Sequence, residues 1–287
     1  MPGLSEAEIS EAFLAACRAE LAALKPGNVH VHAGGHGMET HHFEASAAAA
    51  APWIATPHLN VGTRILRAVE ASLAVAGCNT NLGILLLTAP LAAAAQADTA
   101  GDLRTRVRRV LSALDASDAA NVYEAIRRAN PGGLGSAPEE DVAAPPTLGL
   151  REAMALAADR DRIARAYVTD LDEIFAFGLP ALERISLATE DPALAITTLH
   201  MAYLAQAPDS HIARKFGNET ALSVREEAAR RRALWDPVAT QKSLAGLLAL
   251  DRDLKERSLN PGTTADFVVA TLFAAGVSGR LGPSRRV

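Results

Sequence analysis

The sequence predicts an all-α protein: a single domain of many helices, with active-site loops at the helix ends. Of its 287 residues, 49% are apolar but only 4% are aromatic. The core must therefore consist mostly of small aliphatic side chains, and Ala and Leu lose little conformational entropy in a helix. Apolar residues recur at three- and four-residue spacing through most of the chain. Strand-like alternation is confined to NVHVHA at residues 28–33, which has no partner strand.

The first helix is predicted by its start and stop signals. Ser5 and Glu8 have the spacing of a capping box. Lys25-Pro26-Gly27 ends the helix, because the residue before a proline is displaced from the α region. Further helices are expected over 42–53 and 61–77, and over 101–114, 118–129, 150–177, 192–206, 219–234, 237–255 and 263–276. Another starts near Gly83 and is either kinked at Pro90 or begins late.

Two Asp-Pro pairs and one long loop mark boundaries in the rest of the chain. Asp191-Pro192 and Asp236-Pro237 each have the pattern of an N-cap followed by proline at the first helical position. Residues 130–149 are rich in Pro and Gly and have no periodicity. Within one domain spanning residues 1–287, this stretch is expected to be a linker-like or mobile functional loop.

Composition excludes several classes of protein. A net charge of −5 leaves no basic field for nucleic acid. The longest apolar run, residues 84–95, is too short to cross a bilayer. Cys17 and Cys78 form no CxxC pair, which favours free thiols in a reducing compartment, and no signal-peptide pattern is present. We therefore expect a cytoplasmic protein without nucleic-acid or membrane partners, and the Ala-rich helices leave a homodimer open.

Polar residues gather at five places between the predicted helices. These are residues 24–46, 78–83, 127–135, 209–217 and 260–266. They bring together basic side chains (Lys25, Arg127, Arg214, Lys215) and, with Glu20, carboxylates (Asp209, Asp266). That mixture suits a polyphosphate ligand with a hard cation such as Mg²⁺. Each place taken alone is equally explained as an ordinary turn.

Five of the eight histidines fall in the first of these places: His30, His32, His36, His41 and His42. A histidine metal site, as in a metal hydrolase, is one interpretation. However, neither HExxH nor CxxC spacing is present. Neutral loop histidines, one or two of them in a site, are the alternative interpretation.

Six motifs follow one another along the chain: Lys25-Pro26-Gly27, Gly35-His36, Asn79-Thr80-Asn81-Leu82-Gly83, Asn130-Pro131-Gly132-Gly133, Asp209-Ser210-His211-Ile212 and Asn260-Pro261-Gly262 through Asp266. In this order, and over nearly the whole chain, the series resembles the triphosphoribosyl-dephospho-coenzyme A synthase family (CitG/MdcB-like proteins).

The resemblance implies an all-α, Mg²⁺-dependent transferase that acts on ATP. In the family reaction, the ribose 2′-hydroxyl of dephospho-coenzyme A attacks C1 of the ATP ribose, and adenine leaves. It implies that His36 transfers protons, that Glu20 and Asp209 hold Mg²⁺, and that Asp209 and Asp266 act in catalysis. The substrate-binding residues it implies are Lys25, Gly27, Asn79, Thr80, Asn81, Gly83, Gly132, Gly133, His211 and Arg214, with Lys25 and Arg214 on phosphate. Arg127 is a further substrate-binding candidate, because it precedes a glycine-rich turn whose backbone can approach a phosphate closely.

The chain also departs from the family pattern. Where the family has Asn-Thr-His-Lys-Gly, this chain has Asn79-Thr80-Asn81-Leu82-Gly83, so a basic pair is lost. Four of the clustered histidines have no counterpart in that pattern. Two alternatives follow: an enzyme of tetrahydromethanopterin- or methanofuran-type cofactor biosynthesis in one-carbon metabolism with a different acceptor, or a catalytically inactive nucleotide-binding relative.

Overall fold

Helices account for nearly all the regular structure in the computed structural model, which describes residues 3–136 and 139–279. In chain order they are α1 (Glu6–Ala22), α2 (Thr40–Ala55), α3 (Val61–Ala76), α4 (Leu82–Gln96), α5 (Leu103–Ser112), α6 (Ala116–Ala129), α7 (Leu150–Ala155), α8 (Arg162–Val168), α9 (Leu179–Ala188), α10 (Pro192–Gln206), α11 (Ser210–Phe216), α12 (Asn218–Arg230), α13 (Leu244–Glu256) and α14 (Gly262–Val277). A π-helical turn (Glu173–Gly178) precedes α9, and a 3-10 turn (Arg232–Leu234) follows α12. The all-α prediction is confirmed.

Local start signals work as predicted for two helices. The Ser5 hydroxyl accepts the Glu8 N–H, and the Glu8 carboxylate accepts the Ser5 N–H, which completes the capping box of α1. The Asp191 carboxylate accepts the first two free N–H groups of α10, with proline at the first helical position. These side chains satisfy donors that have no partner within the helix.

The predicted helix over 150–177 is wrong, because the segment is broken in the middle. The Asp161 carboxylate accepts the N–H groups of Ile163 and Ala164, at 2.9 and 3.0 Å, and so starts a new helix, α8. A π-helical turn then leads into α9, which periodicity did not indicate as a separate helix.

The predicted N-cap at Asp236 is also wrong, and α13 begins only at Leu244. The Asp236 carboxylate pairs with the Arg232 guanidinium at 2.7 Å instead. Trp235 is buried and donates to the Ala228 carbonyl, and the Ala239 N–H donates to the Thr198 hydroxyl of α10. These tertiary bonds hold the segment out of a helix.

The core is organised around α4 and α14, which pack on each other and bury almost all of their residues. Helix α4 continues through Pro90, which is itself buried. A second apolar cluster lies among α10, α12 and α13. Among the described residues, no helix is long and apolar enough to cross a membrane. Both central helices begin at motifs singled out above, so their N-termini place those motifs side by side.

One close helix contact gives a test of this packing. A Cβ on Gly62 of α3 would lie 2.6 Å from the backbone Cα and O of Asp118 in α6. Backbone atoms cannot move aside cheaply, so we expect Gly62→Ala to lower the free energy of unfolding by about 2–3 kcal/mol. Urea denaturation measures the change.

Gly276→Ala is the matched control, since a Cβ there meets nothing closer than the Ala12 Cβ at 3.7 Å. This substitution should stabilise the helix slightly, by about 0.5 kcal/mol, because alanine has the higher helix propensity. Equal effects of the two substitutions would contradict the close approach of α3 and α6.

Candidate active site

A cleft of about 920 Å³ opens where the ends of several helices meet. Its walls are the loop after α1, the N-termini of α4 and α14, the end of α6 with the loop that follows it, and α11. All five polar segments therefore converge on one cavity. The residues predicted for the site that line it are Glu20, His36, Asn79, Thr80, Asn81, Gly83, Gly132, Gly133, His211, Arg214 and Asp266.

His36 lies on the loop after α1 with one ring nitrogen fixed. Its Nε2 is 2.9 Å from the Gly27 carbonyl oxygen. A carbonyl only accepts, so Nε2 carries the hydrogen, and the tautomer assigned in this way leaves Nδ1 as an acceptor. Burial lowers the pKa of His36 below the ordinary histidine value. The ring is therefore a neutral base at neutral pH.

Asp266, the fifth residue of α14, faces the first turn of α4. A Cβ on Gly83 would lie 2.0 Å from Asp266 Oδ2, so only glycine leaves room for this carboxyl group. No hydrogen-bond partner of Asp266 is found among the described residues. Burial, with the nearby charges of Asp209 and Glu20, raises its pKa well above the usual carboxyl value. The cleft thus contains a carboxyl group that favours its protonated form.

The glycine-rich loop after α6 packs directly on α11. A Cβ on Gly133 would lie 2.7 Å from the Arg214 carbonyl oxygen, and one on Gly132 would lie 2.7 Å from Lys215 Cε. Gly133 also has a φ of +77°, which glycine adopts without strain. These two glycines let the loop and α11 form one wall of the cleft.

The basic side chains of the cleft differ in what they already bind. Arg214 donates to Asp161 Oδ2 at 2.6 Å, and Arg128 pairs with Glu70 and Glu124. Lys215 and Arg160 also line the cleft and are exposed. Within the described part of the chain neither has a carboxylate partner. They are the cations available to a phosphorylated ligand. Arg160 lies outside the sequence motifs.

The segment from Asn79 to Gly83 is bonded to its neighbours and supplies no cation. The Thr80 hydroxyl donates to the Ser46 hydroxyl at 2.7 Å, and the Asn81 amide donates to the Ser72 hydroxyl at 2.9 Å. Leu82 is buried. The segment shapes the cleft wall at the start of α4.

Lys25 does not line the cleft, contrary to the expected phosphate contact. It is fully buried, and its Nζ donates to Glu20 Oε1 at 2.5 Å, Asn28 Oδ1 at 3.2 Å and the Val29 carbonyl at 2.6 Å. An ammonium group has three hydrogens to donate, so none remains for a ligand. Lys25 instead fixes the turn at the end of α1 and neutralises Glu20.

Asp209, the other expected metal ligand, is likewise enclosed, and both of its oxygens already accept hydrogen bonds within the protein. Its Oδ1 accepts the N–H groups of His211 and Ile212, at 2.9 and 3.1 Å. Its Oδ2 accepts the N–H and hydroxyl of Thr264, at 2.7 and 2.8 Å. These four bonds occupy the acceptor positions of the carboxylate. Asp209 therefore joins α11 to α14 and does not line the cleft.

Arg127 and Gly27 are the other two predicted residues outside the cleft. Arg127 pairs with Glu124 and donates to the Val142 carbonyl, while its neighbour Arg128 faces the cleft. Consecutive residues on a helix point about 100° apart, so only one of the two can face inward. Gly27 lies beneath His36, and a Cβ there would be 2.8 Å from Pro261 Cδ.

The histidine cluster does not form a common site. His30 is buried, with its Nε2 3.3 Å from Asp251 Oδ1. The rings of His41 and His42 lie against each other at the start of α2, with their centroids 3.9 Å apart. In the described ranges, no group of three or more His, Cys, Asp and Glu side chains is placed to hold a metal ion. Of the five clustered histidines, all within the described residues, only His36 lines the cleft. His211 lines it from α11. The alternative of a histidine metal centre therefore has no support in the structure.

One cleft pair that the sequence analysis missed joins the first motif to the last. Asn28 Nδ2 donates to Asn260 Oδ1 at 2.8 Å, and both side chains line the cleft. Each asparagine stands directly beside a Pro-Gly turn, which is the signal that was available in the sequence.

A cleft that brings exposed cations, an imidazole and a buried carboxyl group together is suited to a phosphorylated substrate. Residues 6–284 match the family model CitG, described as ATP:dephospho-CoA triphosphoribosyl transferase. The chain belongs to this family of transferases.

Other comparisons agree with this class. The chain is similar to a crystal structure of an Archaeoglobus fulgidus protein provisionally assigned as a triphosphoribosyl-dephospho-coA synthase. The two share 27% sequence identity with a TM-score of 0.63, over 82% of this chain and 98% of the other. No curated protein matches the chain.

The structural role of Asp209 can be tested by stability. In Asp209→Asn, an amide nitrogen would face two donors and leave a buried N–H unpaired. We expect the free energy of unfolding to fall by about 2–3 kcal/mol in urea denaturation.

Asp191→Asn provides the control, because Asp191 accepts only helix N–H groups and asparagine caps a helix equally well. Its effect should stay within about 0.5 kcal/mol. If Asp209→Asn were as stable as Asp191→Asn but lost Mg²⁺-dependent activity, the metal-ligand role would be restored.

Proposed function

We propose that this cleft transfers a triphosphoribosyl group from ATP to dephospho-coenzyme A. In that reaction the bond between C1 of the ATP ribose and adenine breaks, and a bond from C1 to the acceptor 2′-hydroxyl oxygen forms. The hydroxyl proton must pass to a base, and adenine must gain a proton as it leaves. Family membership supports the reaction, and the side chains in the cleft support the roles given below.

The observation that carries the proposal is the convergence of the five polar segments on one cleft that contains both His36 and Asp266. Burial lowers the pKa of His36 and raises that of Asp266. At neutral pH this favours an unprotonated imidazole together with a protonated carboxyl group, the two forms that the reaction needs. We assign His36 Nδ1 as the base for the acceptor hydroxyl and Asp266 as the acid for adenine.

The triphosphate is assigned to the wall formed by α11 and the glycine-rich loop. Lys215 and Arg160 have no carboxylate partner in the described residues, whereas Arg214 donates to Asp161 Oδ2. Gly132 and Gly133 leave the loop backbone close to α11, where N–H groups add donors. This replaces the phosphate contacts expected of Lys25 and Arg127.

Mg²⁺ fits the cleft as a partner of the triphosphate. Magnesium is usually held by one or two carboxylates together with substrate phosphates. Of the two expected ligands only Glu20 lines the cleft, with one oxygen engaged by Lys25. We assign Glu20 as its protein ligand. When bound, the ion neutralises phosphate charge.

A second class of acceptor molecule competes with dephospho-coenzyme A in the proposal. Asn81 and Leu82 supply no cation at the start of α4, which favours an acceptor bound by neutral groups there. A pterin- or furan-type acceptor of one-carbon metabolism is therefore included in the assay below. ATP supply and the two free thiols fit a cytoplasmic reaction.

The phosphate assignment predicts a contrast between two basic residues. Lys215→Ala should raise the KM for ATP about tenfold, because a charge-assisted phosphate contact is lost. Arg127→Ala should change it less than about twofold, because Arg127 is already paired with Glu124 outside the cleft. Steady-state kinetics measures both, and the reverse ranking would overturn the assignment.

The catalytic assignment predicts slow adenine release in two variants. With ATP, Mg²⁺ and dephospho-coenzyme A, His36→Gln and Asp266→Asn should each reduce kcat by about 100-fold, because each removes a proton-transfer group. Chromatography of free adenine is the measurement. The exposed residues His32 and Asp98 supply the controls His32→Gln and Asp98→Asn, which should retain the wild-type rate.

The outcomes separate the alternatives. Adenine release with the pterin- or furan-type acceptor but not with dephospho-coenzyme A would reassign the acceptor. No adenine with any of these acceptors, and no ATP binding by calorimetry, would identify an inactive relative and reject the proposed function.

A further inference from the structure

The loop that carries His36 lies on α13, and we propose that Asp251 of α13 is a positioning residue that holds His36 in its reactive orientation. The inference rests on the proposed role of His36 as the base. Asp251 itself does not line the cleft, and it would act only through other residues.

A chain of two hydrogen bonds connects Asp251 to the ring. The Gly27 N–H donates to Asp251 Oδ1 at 2.9 Å, and the Gly27 carbonyl accepts from His36 Nε2 at 2.9 Å. Both groups belong to one residue, so the carboxylate that fixes Gly27 also fixes the acceptor of the ring. Gly27 has little freedom to move, since Pro261 and Leu259 enclose it.

Asp251 is itself held in place from two further directions. His30 Nε2 lies 3.3 Å from its Oδ1, and Lys255 Nζ donates to its Oδ2 at 3.0 Å. Lys255 also donates to the Ala33 carbonyl at 3.1 Å. Helix α13 therefore binds the loop at two points, Gly27 and Ala33. Burial raises the pKa of Asp251, but these bonds outweigh it and the net pKa lies below the usual value.

This arrangement gives His30 a function that the histidine count alone did not reveal. The His32 N–H donates to His30 Nδ1 at 3.2 Å, so the hydrogen on His30 is at Nε2 and points to Asp251. The buried carboxylate therefore receives donors from His30, Gly27 and Lys255. An acceptor surrounded by donors in this way keeps a single geometry.

Two charged residues of α13, Lys255 and Asp251, act on His36. Helix α11 adds the charged Lys215 and the titratable but neutral His211. After burial and the Gly27 bond, the two lysines lower the pKa of His36 and Asp251 raises it. Removing Asp251 should therefore lower the pKa of His36, and removing the Lys255 charge should raise it. These shifts test whether both charges act on the His36 ring, whereas the ring tautomer tests the positioning.

The first experiment observes His36 directly. Nitrogen NMR of protein with isotope-labelled histidine reports the ring tautomer, and the His36 signal is the one lost in His36→Gln. The wild type should show the Nε2-protonated form, whereas Asp251→Asn should show a mixture of tautomers. Asp253→Asn, which alters a surface pair with Arg257 on the same helix, should match the wild type.

The second experiment uses the transferase assay. Asp251→Asn should lower kcat about tenfold and change the KM for ATP less than about twofold, because a misplaced base slows the chemical step. The lower midpoint of the kcat/KM pH profile should move down in Asp251→Asn and up in Lys255→Gln. Asp253→Asn should leave rate and profile unchanged.

Each outcome has a definite meaning. An unchanged tautomer and kcat in Asp251→Asn, or shifts of the two variants in the same direction, would overturn the inference. If Asp251→Asn does not fold, the upward shift in Lys255→Gln decides, and its absence counts against the inference. If the wild type releases no adenine, the proposed function fails, while the His36 tautomer in the variants still tests the positioning.

Discussion

The site depends on the four hydrogen bonds of Asp209, because they fix where α11 lies against α14. A carboxylate shared between a short helix and the first turn of a buried helix keeps two cleft walls at a constant separation. Lys215 and His211 reach the cleft from α11, and Asp266 reaches it from α14. If these hydrogen bonds were weaker, Lys215 and Asp266 could move apart. Groups that act on one substrate must be held in a fixed arrangement.

Buried charge beneath the cleft serves the same purpose at the other wall. Lys25 and Glu20 form one ion pair, and Asp251 with Lys255 forms another. The free energy lost on desolvating such pairs offsets much of their Coulomb attraction. Their main contribution is therefore to hold the loop in a single geometry. That loop carries His36 in a left-handed conformation, with a φ of 55°, which an unsupported histidine adopts only rarely.

Sequence reasoning succeeded where the determining physics was local. The caps at Ser5 and Asp191 depend on neighbours within three residues, and both were predicted correctly. It failed where distant contacts decide: Thr198 and Ala228 hold residues 235–239 out of a helix, and Thr264 encloses Asp209. The motifs indicated which segments form the cleft. The side chains that face the cleft are determined by how the helices pack, which the motifs do not show.

Glycine at position 83 shows why a cleft residue can matter without any functional group. A Cβ on Gly83 would lie 2.0 Å from Asp266 Oδ2, so the absence of a side chain at position 83 leaves room for this carboxyl group beside α4. Burial and the neighbouring charges of Asp209 and Glu20 raise the pKa of this carboxyl group well above its usual value. Burial raises the pKa of Asp266 and lowers that of His36, so one physical condition favours the neutral form of both side chains.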